Sequence, residues 1–336
     1  MTITRRAVLA GGLALGAFPA FAQTAPPTID LRDPRLRRIL DPAAPIETIA
    51  SGIQWAEGPV WIRPGGYLLF SDPPANLMRR WSRAGGVTRF LQPSGKGGTD
   101  PKLVREPGSN GLAGDGKGHV LIADSGGRAI TRLDLATKRK TVLVDRYKGM
   151  RFNSPNDLHI ARSGAIYFTD PPYGFAAGDQ SPLKELDING VYRWMPGGKA
   201  ELVDGTLTRP NGVALSPDEK RLYVSVSDEK APKILVYDLD RHGMPRHSRV
   251  LLDARPMLAG GAPGLPDGMK VAADGTLFCS APGGMLIMTP EGEPLGLIHD
   301  GKAIANCCFG EDGRTLFMTS SDRVLRMRLK INGWRA

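Results

Sequence analysis

Asn156-Asp-Leu-His-Ile-Ala-Arg-Ser-Gly-Ala-Ile-Tyr-Phe-Thr-Asp170 runs from a polar residue through a short apolar stretch, a glycine turn and a second apolar stretch to an acid. The same order recurs five times, ending in an acid or a small residue. Glu57-Gly-Pro-Val-Trp61 leads to Leu68-Leu-Phe-Ser-Asp72, and Asn110-Gly-Leu-Ala113 to Val120-Leu-Ile-Ala-Asp124. Asn211-Gly-Val-Ala-Leu215 leads to Leu222-Tyr-Val-Ser225, Asp267-Gly-Met-Lys-Val271 to Leu277-Phe-Cys-Ser280, and Asn306-Cys-Cys-Phe309 to Leu316-Phe-Met-Thr319. The leading residues lie 53, 46, 55, 56 and 39 positions apart. Endings such as Val142-Leu-Val-Asp145, Leu202-Val-Asp204, Leu251-Leu-Asp253 and Ile298-His-Asp300 close a second hairpin in each unit. Four strands per unit, six times over, predict an all-β, six-bladed β-propeller with four antiparallel strands per blade. A pair of β-sandwiches gives no reason to repeat one polar position six times.

Composition agrees. The 336 residues include 42 glycines and 28 prolines, too much punctuation for a helical bundle, and 41% hydrophobic residues, enough for a core. Val324-Leu-Arg-Met-Arg-Leu-Lys-Ile331 is a last strand, and Ile46-Glu-Thr-Ile49 is a strand without a hairpin partner ahead of the first unit. Pairing the latter into the last blade closes the ring and hides both edges. Asp33-Pro34 before Leu36, Ile39 and Leu40 predicts a short capped helix.

The expected organisation is an export signal over 1–22, a short-helix segment over 23–45 and the propeller over 46–336. Thr4-Arg5-Arg6-Ala7-Val8-Leu9, a Gly/Ala-rich apolar stretch and Ala20-Phe21-Ala22 form a twin-arginine signal with a small-x-small cleavage site, which places the chain in a periplasm. No apolar run approaches the ~20 residues of a membrane span. Residues 1–22 carry Arg5 and Arg6 and no acid, so without them the formal charge falls from +10 to +8. The remaining basic residues are scattered, which predicts a solvated surface and no nucleic-acid partner.

In a propeller the inner strand of each blade begins at the central channel. Glu57, Asn110, Asn156, Asn211, Asp267 and Asn306 therefore converge on the axis, under the long connections Gln92–Ser109, Pro171–Asn189 and Ala254–Pro266. The competing reading makes Asn-Gly and Asp-Gly plain hairpin turns. Glu57-Gly58 and Asn156-Asp157 do not fit it. Glu57 and Asp267 with Asn156 and Asn211 supply oxygen donors only and two negative charges, which suits one hard divalent cation such as calcium, magnesium or manganese.

Glu57-Gly-Pro-Val-Trp61, Asn153-Ser-Pro-Asn-Asp157, Phe168-Thr-Asp-Pro-Pro-Tyr-Gly174, Arg209-Pro-Asn-Gly-Val213 and Pro266-Asp-Gly-Met-Lys270 resemble the senescence-marker-protein-30/gluconolactonase family from about Asp33 to the last strand. The resemblance implies a six-bladed propeller with one divalent metal low in the central pocket, held by Glu57, Asn156, Asn211 and Asp267. Asp267 is also the implied catalytic carboxylate. Ca2+ is the first expectation for the metal, with Zn2+, Mg2+ or Mn2+ as alternatives. Asp124-Ser-Gly-Gly127 departs from the family's more usual Glu-His-Gly, which touches substrate identity and not the metal site.

The implied activity is metal-dependent opening of sugar lactones. Asp267 would deliver the attacking water, or would orient a water activated on the cation. Asn110 is a substrate-binding candidate because an amide donates and accepts, and Arg105 and Tyr173 are candidates because they ride the rim loops. The rival readings are a non-catalytic sugar- or metal-binding propeller, and an arylesterase or organophosphate hydrolase on the same metal. The five histidines show no ligand spacing, and Cys279, Cys307 and Cys308 read as small buried hydrophobes. Asp72 and Asp170, each before Pro-Pro, read first as strand terminators and second as supports of the site from one strand outward. Asn306 is assigned no ligand role.

Overall fold

The computed structural model describes residues 26–95 and 100–334. The export signal read over 1–22 lies outside them. Six antiparallel sheets form the blades in order along the chain, and a small two-stranded ribbon, Arg146–Tyr147 with Met150–Arg151, lies between blades 2 and 3. Blade 1 comprises Glu57–Ile62, Tyr67–Asp72, Leu77–Ser82 and Gly86–Leu91, and blade 2 Ser109–Gly114, His119–Asp124, Ala129–Asp134 and Lys140–Val144. Blade 3 comprises Leu158–Ile160, Ile166–Asp170, Gly190–Trp194 and Ala200–Asp204, and blade 4 Pro210–Leu215, Arg221–Val226, Lys233–Leu239 and Pro245–Asp253. Blade 5 comprises Met269–Val271, Leu277–Ala281, Gly284–Met288 and Pro294–His299. Blade 6 takes Ile304–Gly310, Thr315–Ser320 and Arg323–Arg328 from the chain's end and its outer strand, Glu47–Ser51, from the beginning.

That outer strand is the expected closure, in register Glu47↔Arg326 and Ser51↔Arg323. Arg326, nearly buried, clasps it by donating to Glu47 at 2.9 Å and to Glu311 at 2.8 Å. A further strand, Thr28–Leu31, adds a fifth position to blade 5 by pairing with Pro294–His299. The helix is Leu36–Ile39, and its side-chain cap is absent. Arg35 stands at the cap position, and the Asp33 carboxylate, two residues ahead of it, accepts from the Arg35 N–H and not from an N–H inside the helix.

The second strand of each blade reads as an unbroken apolar run because both faces of the blade are covered. Successive side chains point to opposite faces. Leu68 and Phe70 therefore pack with Phe317 and Val324 of blade 6, whereas Leu69 between them packs with Val120 and Ile122 of blade 2. Leu222 and Val224 face blade 3, while Tyr223 faces blade 5. The core is thus six apolar clusters, one at each blade junction, among the described residues. The three cysteines are buried and unpaired within it, as expected for small apolar side chains.

Candidate active site

At the start of the inner strands the ladder slips. Register shifts fall between Glu57 and Val60, Ser109 and Leu112, Pro210 and Val213, and Ile304 and Asn306. An extra residue in one strand re-aims the side chain beside it, and here it turns the leading polar residue toward the axis. The glycines that follow are therefore contact points between neighbouring inner strands, not hairpin turns. A Cβ at Gly58, itself at φ +49°, would run into the Asn110 carbonyl oxygen, and one at Gly212 into that of Asp267. The ring is stitched through the same atoms: Gly111 N–H donates to the Asn156 carbonyl at 2.7 Å, Thr169 Oγ1 to that of Asn211 at 2.6 Å, and Ser225 Oγ to that of Asp267 at 2.5 Å.

Glu57, Asn110, Asn156, Asn211 and Asp267, with Arg105 and Tyr173, all line one cavity of about 1020 Å³. Among the described residues its wall contains no histidine and no cysteine, and it carries the carboxylates of Glu57, Glu106 and Asp267 as candidate bases for water. Glu57, Asn110, Asn156 and Asn211 are buried, and Asp267 keeps part of its surface open to the cavity. Glu57 Oε2 accepts from the Gly58 N–H at 2.7 Å. The Asn211 Nδ2 donates to Ser227 Oγ at 2.9 Å, which turns its Oδ1 away from Ser227. Oδ1 of Asn211, of Asp267 and of Asn110 are buried and accept no hydrogen bond.

The carboxylates crowd one another. Burial pushes Glu57 up to about 8 against the Gly58 N–H, helped by the charges of Asp157 and Glu106. Asp267 is raised well above the ordinary carboxylate range by burial, then by Glu57, Asp157 and Glu106. Orphaned amide and carboxylate oxygens beside two such acids fit a hard cation. Among the described residues no group of three or more His, Cys, Asp or Glu could hold a metal, so a cation here takes a mixed carboxylate–amide set.

A sequence model of the SMP-30/gluconolactonase/LRE-like region matches residues 55–322. The chain belongs to that family. A Zymomonas mobilis protein named gluconolactonase is 53% identical over 304 residues, covering 89% of this chain and 85% of its own. A solved gluconolactonase from Xanthomonas campestris is 32% identical with a TM-score of 0.77, over 92% of this chain and 96% of that one. The regucalcin of Agrobacterium tumefaciens, described as a calcium-binding protein, shares the fold at 18% identity and a TM-score of 0.65, over 85% of this chain and 93% of that one.

Beneath the ring, this member of the family carries a charged layer that sequence reading passed over. Asn306 Nδ2 reaches Glu57 Oε2 at 3.4 Å and Asp157 Oδ2 at 3.5 Å, and Lys270 Nζ reaches Asn306 Oδ1 at 3.4 Å. Burial works to lower Lys270, yet the charge of Asp157 leads the influences that hold it above its ordinary value. Asn306, to which the sequence assigns no ligand role, is a shared donor between two acids. The layer separates the acidic cavity from a second one of about 900 Å³ at the opposite mouth, walled by Val60, Leu112, Leu158, Val271 and Phe309.

Glu106, which the sequence does not single out, is a cavity carboxylate on a loop, pushed up to about 7 by burial, against the pull of Arg105 and Asn110. Asp72 and Asp170 do more than end strands. Asp72 accepts from the N–H groups of Gln54 and Trp55, which line the cavity, and Asp170 accepts from Asn153 N at 2.7 Å, just ahead of Asn156. Both acids end the second strand of their blade, the position from which the sequence predicts that they support the site.

Proposed function

We propose that this protein hydrolyses the ester bond of sugar lactones, with one divalent cation, Ca2+ foremost, held by Glu57, Asn156, Asn211 and Asp267. The observation that carries the reading is the meeting of these four side chains in one cavity where the Oδ1 atoms of Asn211 and Asp267 have no partner. The relatives named gluconolactonase support the substrate class. When bound, the cation polarises the lactone carbonyl and stabilises the charge that develops on its oxygen. Asp267 takes the proton of the attacking water: its Oδ1 is unengaged, whereas Oε2 of Glu57 already accepts from Gly58 and Asn306. Asn110 and Tyr173 present an amide and a hydroxyl to the substrate's own hydroxyls.

Hydrolysis of glucono-δ-lactone by the purified protein, followed by acid release, tests the reading. A chelator should abolish the rate and Ca2+ should restore it. Turnover that survives complete chelation rules out the cation's part, and no turnover of any sugar lactone by cation-loaded protein rules out the activity. Export to a periplasm rests on residues 1–22: fused to a folded reporter they should carry it there, and Arg5→Lys with Arg6→Lys should stop it. Unchanged export would remove the twin-arginine reading.

A further inference from the structure

The loop after blade 1 and the loop inside blade 3 are zipped together across the cavity mouth. Val104 and Phe175 form an antiparallel bridge, Arg105 N–H donates to the Gly174 carbonyl at 2.8 Å, and Ala176 N–H donates to that of Leu103 at 3.0 Å. Glu106 N–H shares the Gly174 carbonyl at 3.3 Å. Below, Gly174 N–H donates to Ser154 Oγ at 2.8 Å. The departure Asp124-Ser-Gly-Gly127 belongs to this packing. A Cβ at Gly126 would strike the Pro107 backbone, and Gly126 N–H donates to the Gly108 carbonyl at 3.4 Å. Small residues there let the 105–108 segment sit down into the mouth, and they fix where Glu106 points.

Glu106 lines the cavity outside the ring, where its carboxylate meets its neighbour Arg105 and the side chain of Asn110. Its side chain is 14% exposed, and its ion pair to Arg105, which is 56% exposed, is long at 3.3 Å. Glu106 and Arg105 thus set a carboxylate and a guanidinium side by side on the wall of the cavity that holds Glu57 and Asp267. An ionised carboxylate only accepts hydrogen bonds, and a guanidinium only donates them. Side by side they complement a pair of neighbouring hydroxyls, each of which does both. An unsubstituted lactone or an aryl ester offers acceptor oxygens and no donor, so Glu106 would lose water on binding such a ligand and gain nothing for it.

We propose that Glu106, backed by Arg105, is a specificity-determining residue that reads the hydroxyls of a polyhydroxylated lactone and disfavours esters without them. This rests on the lactonase reading above and names what selects within it. The test measures kcat and KM for glucono-δ-lactone and for δ-valerolactone with Ca2+-loaded wild-type and Glu106→Gln protein. The ratio of kcat/KM between the two substrates should fall ~10–100-fold, mostly through KM for the sugar lactone, the range expected when a site built for hydroxyls loses a charged acceptor. An unchanged ratio, or an equal loss of kcat on both substrates, would overturn the assignment. Calorimetric binding of glucono-δ-lactam, which lacks the ester, should weaken in the variant by a similar factor. Wild-type protein that binds the lactam but opens no lactone would end the lactonase reading and leave the hydroxyl-reading role standing. If Glu106→Gln lowers the melting temperature sharply, Glu106→Asp, which keeps the charge but withdraws it by one methylene, should show the same fall in ratio.

Discussion

Asp267 and Asn306 are the residues at which the charge of the ring is decided. Asp267→Asn keeps an oxygen at the position and removes the base, so lactone hydrolysis should fall by ~10²–10⁴, the contribution of a positioned acid–base group. Calcium affinity, measured by calorimetry, should fall less, because an amide oxygen still coordinates. Full activity of this variant at saturating Ca2+ would reduce Asp267 to a ligand. Asn306→Ala removes the donor that Glu57 and Asp157 share and leaves Lys270 with only the Met269 carbonyl as acceptor, at 2.9 Å. Exposing a buried acceptor to no donor costs ~1–3 kcal/mol, so the melting temperature should drop and calcium should bind more weakly. A variant indistinguishable from wild type in both would show that the charged layer does not support the ring.

At the scale of elements, ring closure and the loop zipper do different work. Glu47–Ser51 is the outer strand of blade 6, and deleting residues 46–49 removes the partner of Arg323–Arg328 and the acid that Arg326 clasps. The melting temperature should fall by far more than on deleting residues 26–31, which removes only a fifth strand laid on an already complete blade 5. Equal losses, read by thermal unfolding, would mean the ring is not held at that seam. The closing strand was legible because Ile46-Glu-Thr-Ile49 lacked a hairpin partner of its own. Thr28–Leu31 was not, because four residues beside Pro and Asp carry no hairpin signal and pair with a strand 260 or more positions away. The same contrast holds in the site. The ring residues share one place in a repeat, and repetition separated them from turn dipeptides. Glu106 occupies an irregular connection with no counterpart in other blades, and only the zipper to Gly174 brings it over the axis. Asp157 was visible in sequence, but its pairing with Lys270 depends on how deep both side chains sit in the channel.

The whole molecule stores these site charges as a dependence of stability on pH. Glu57 is held at about 8 and Glu106 and Asp170 at about 7, chiefly by burial, whereas the unfolded chain loses the corresponding protons near pH 4. Between roughly pH 4 and pH 8 the folded state therefore binds more protons than the unfolded one, and stability falls as pH rises through that window. Salt-bridged surface acids work in the opposite sense, but at lower pH: Asp253, held down to about 2 by Arg255, affects stability only as pH falls below about 4. A cation in the ring competes with those protons for Glu57 and Asp267 and binds only the folded state, where a ligand at a hundred times its Kd contributes about 2.7 kcal/mol. Chelated protein should thus melt at a lower temperature at pH 8 than at pH 5, and millimolar Ca2+ should raise the melting temperature more at pH 8 than at pH 5. Glu57→Gln should flatten the first trend and shrink the second, while Asp170, which receives Asn153 N–H away from the ring, should leave a residual slope that calcium does not remove. A calcium gain equal at the two pH values would mean that the cation does not displace protons from the ring, and the four side chains would then need another occupant.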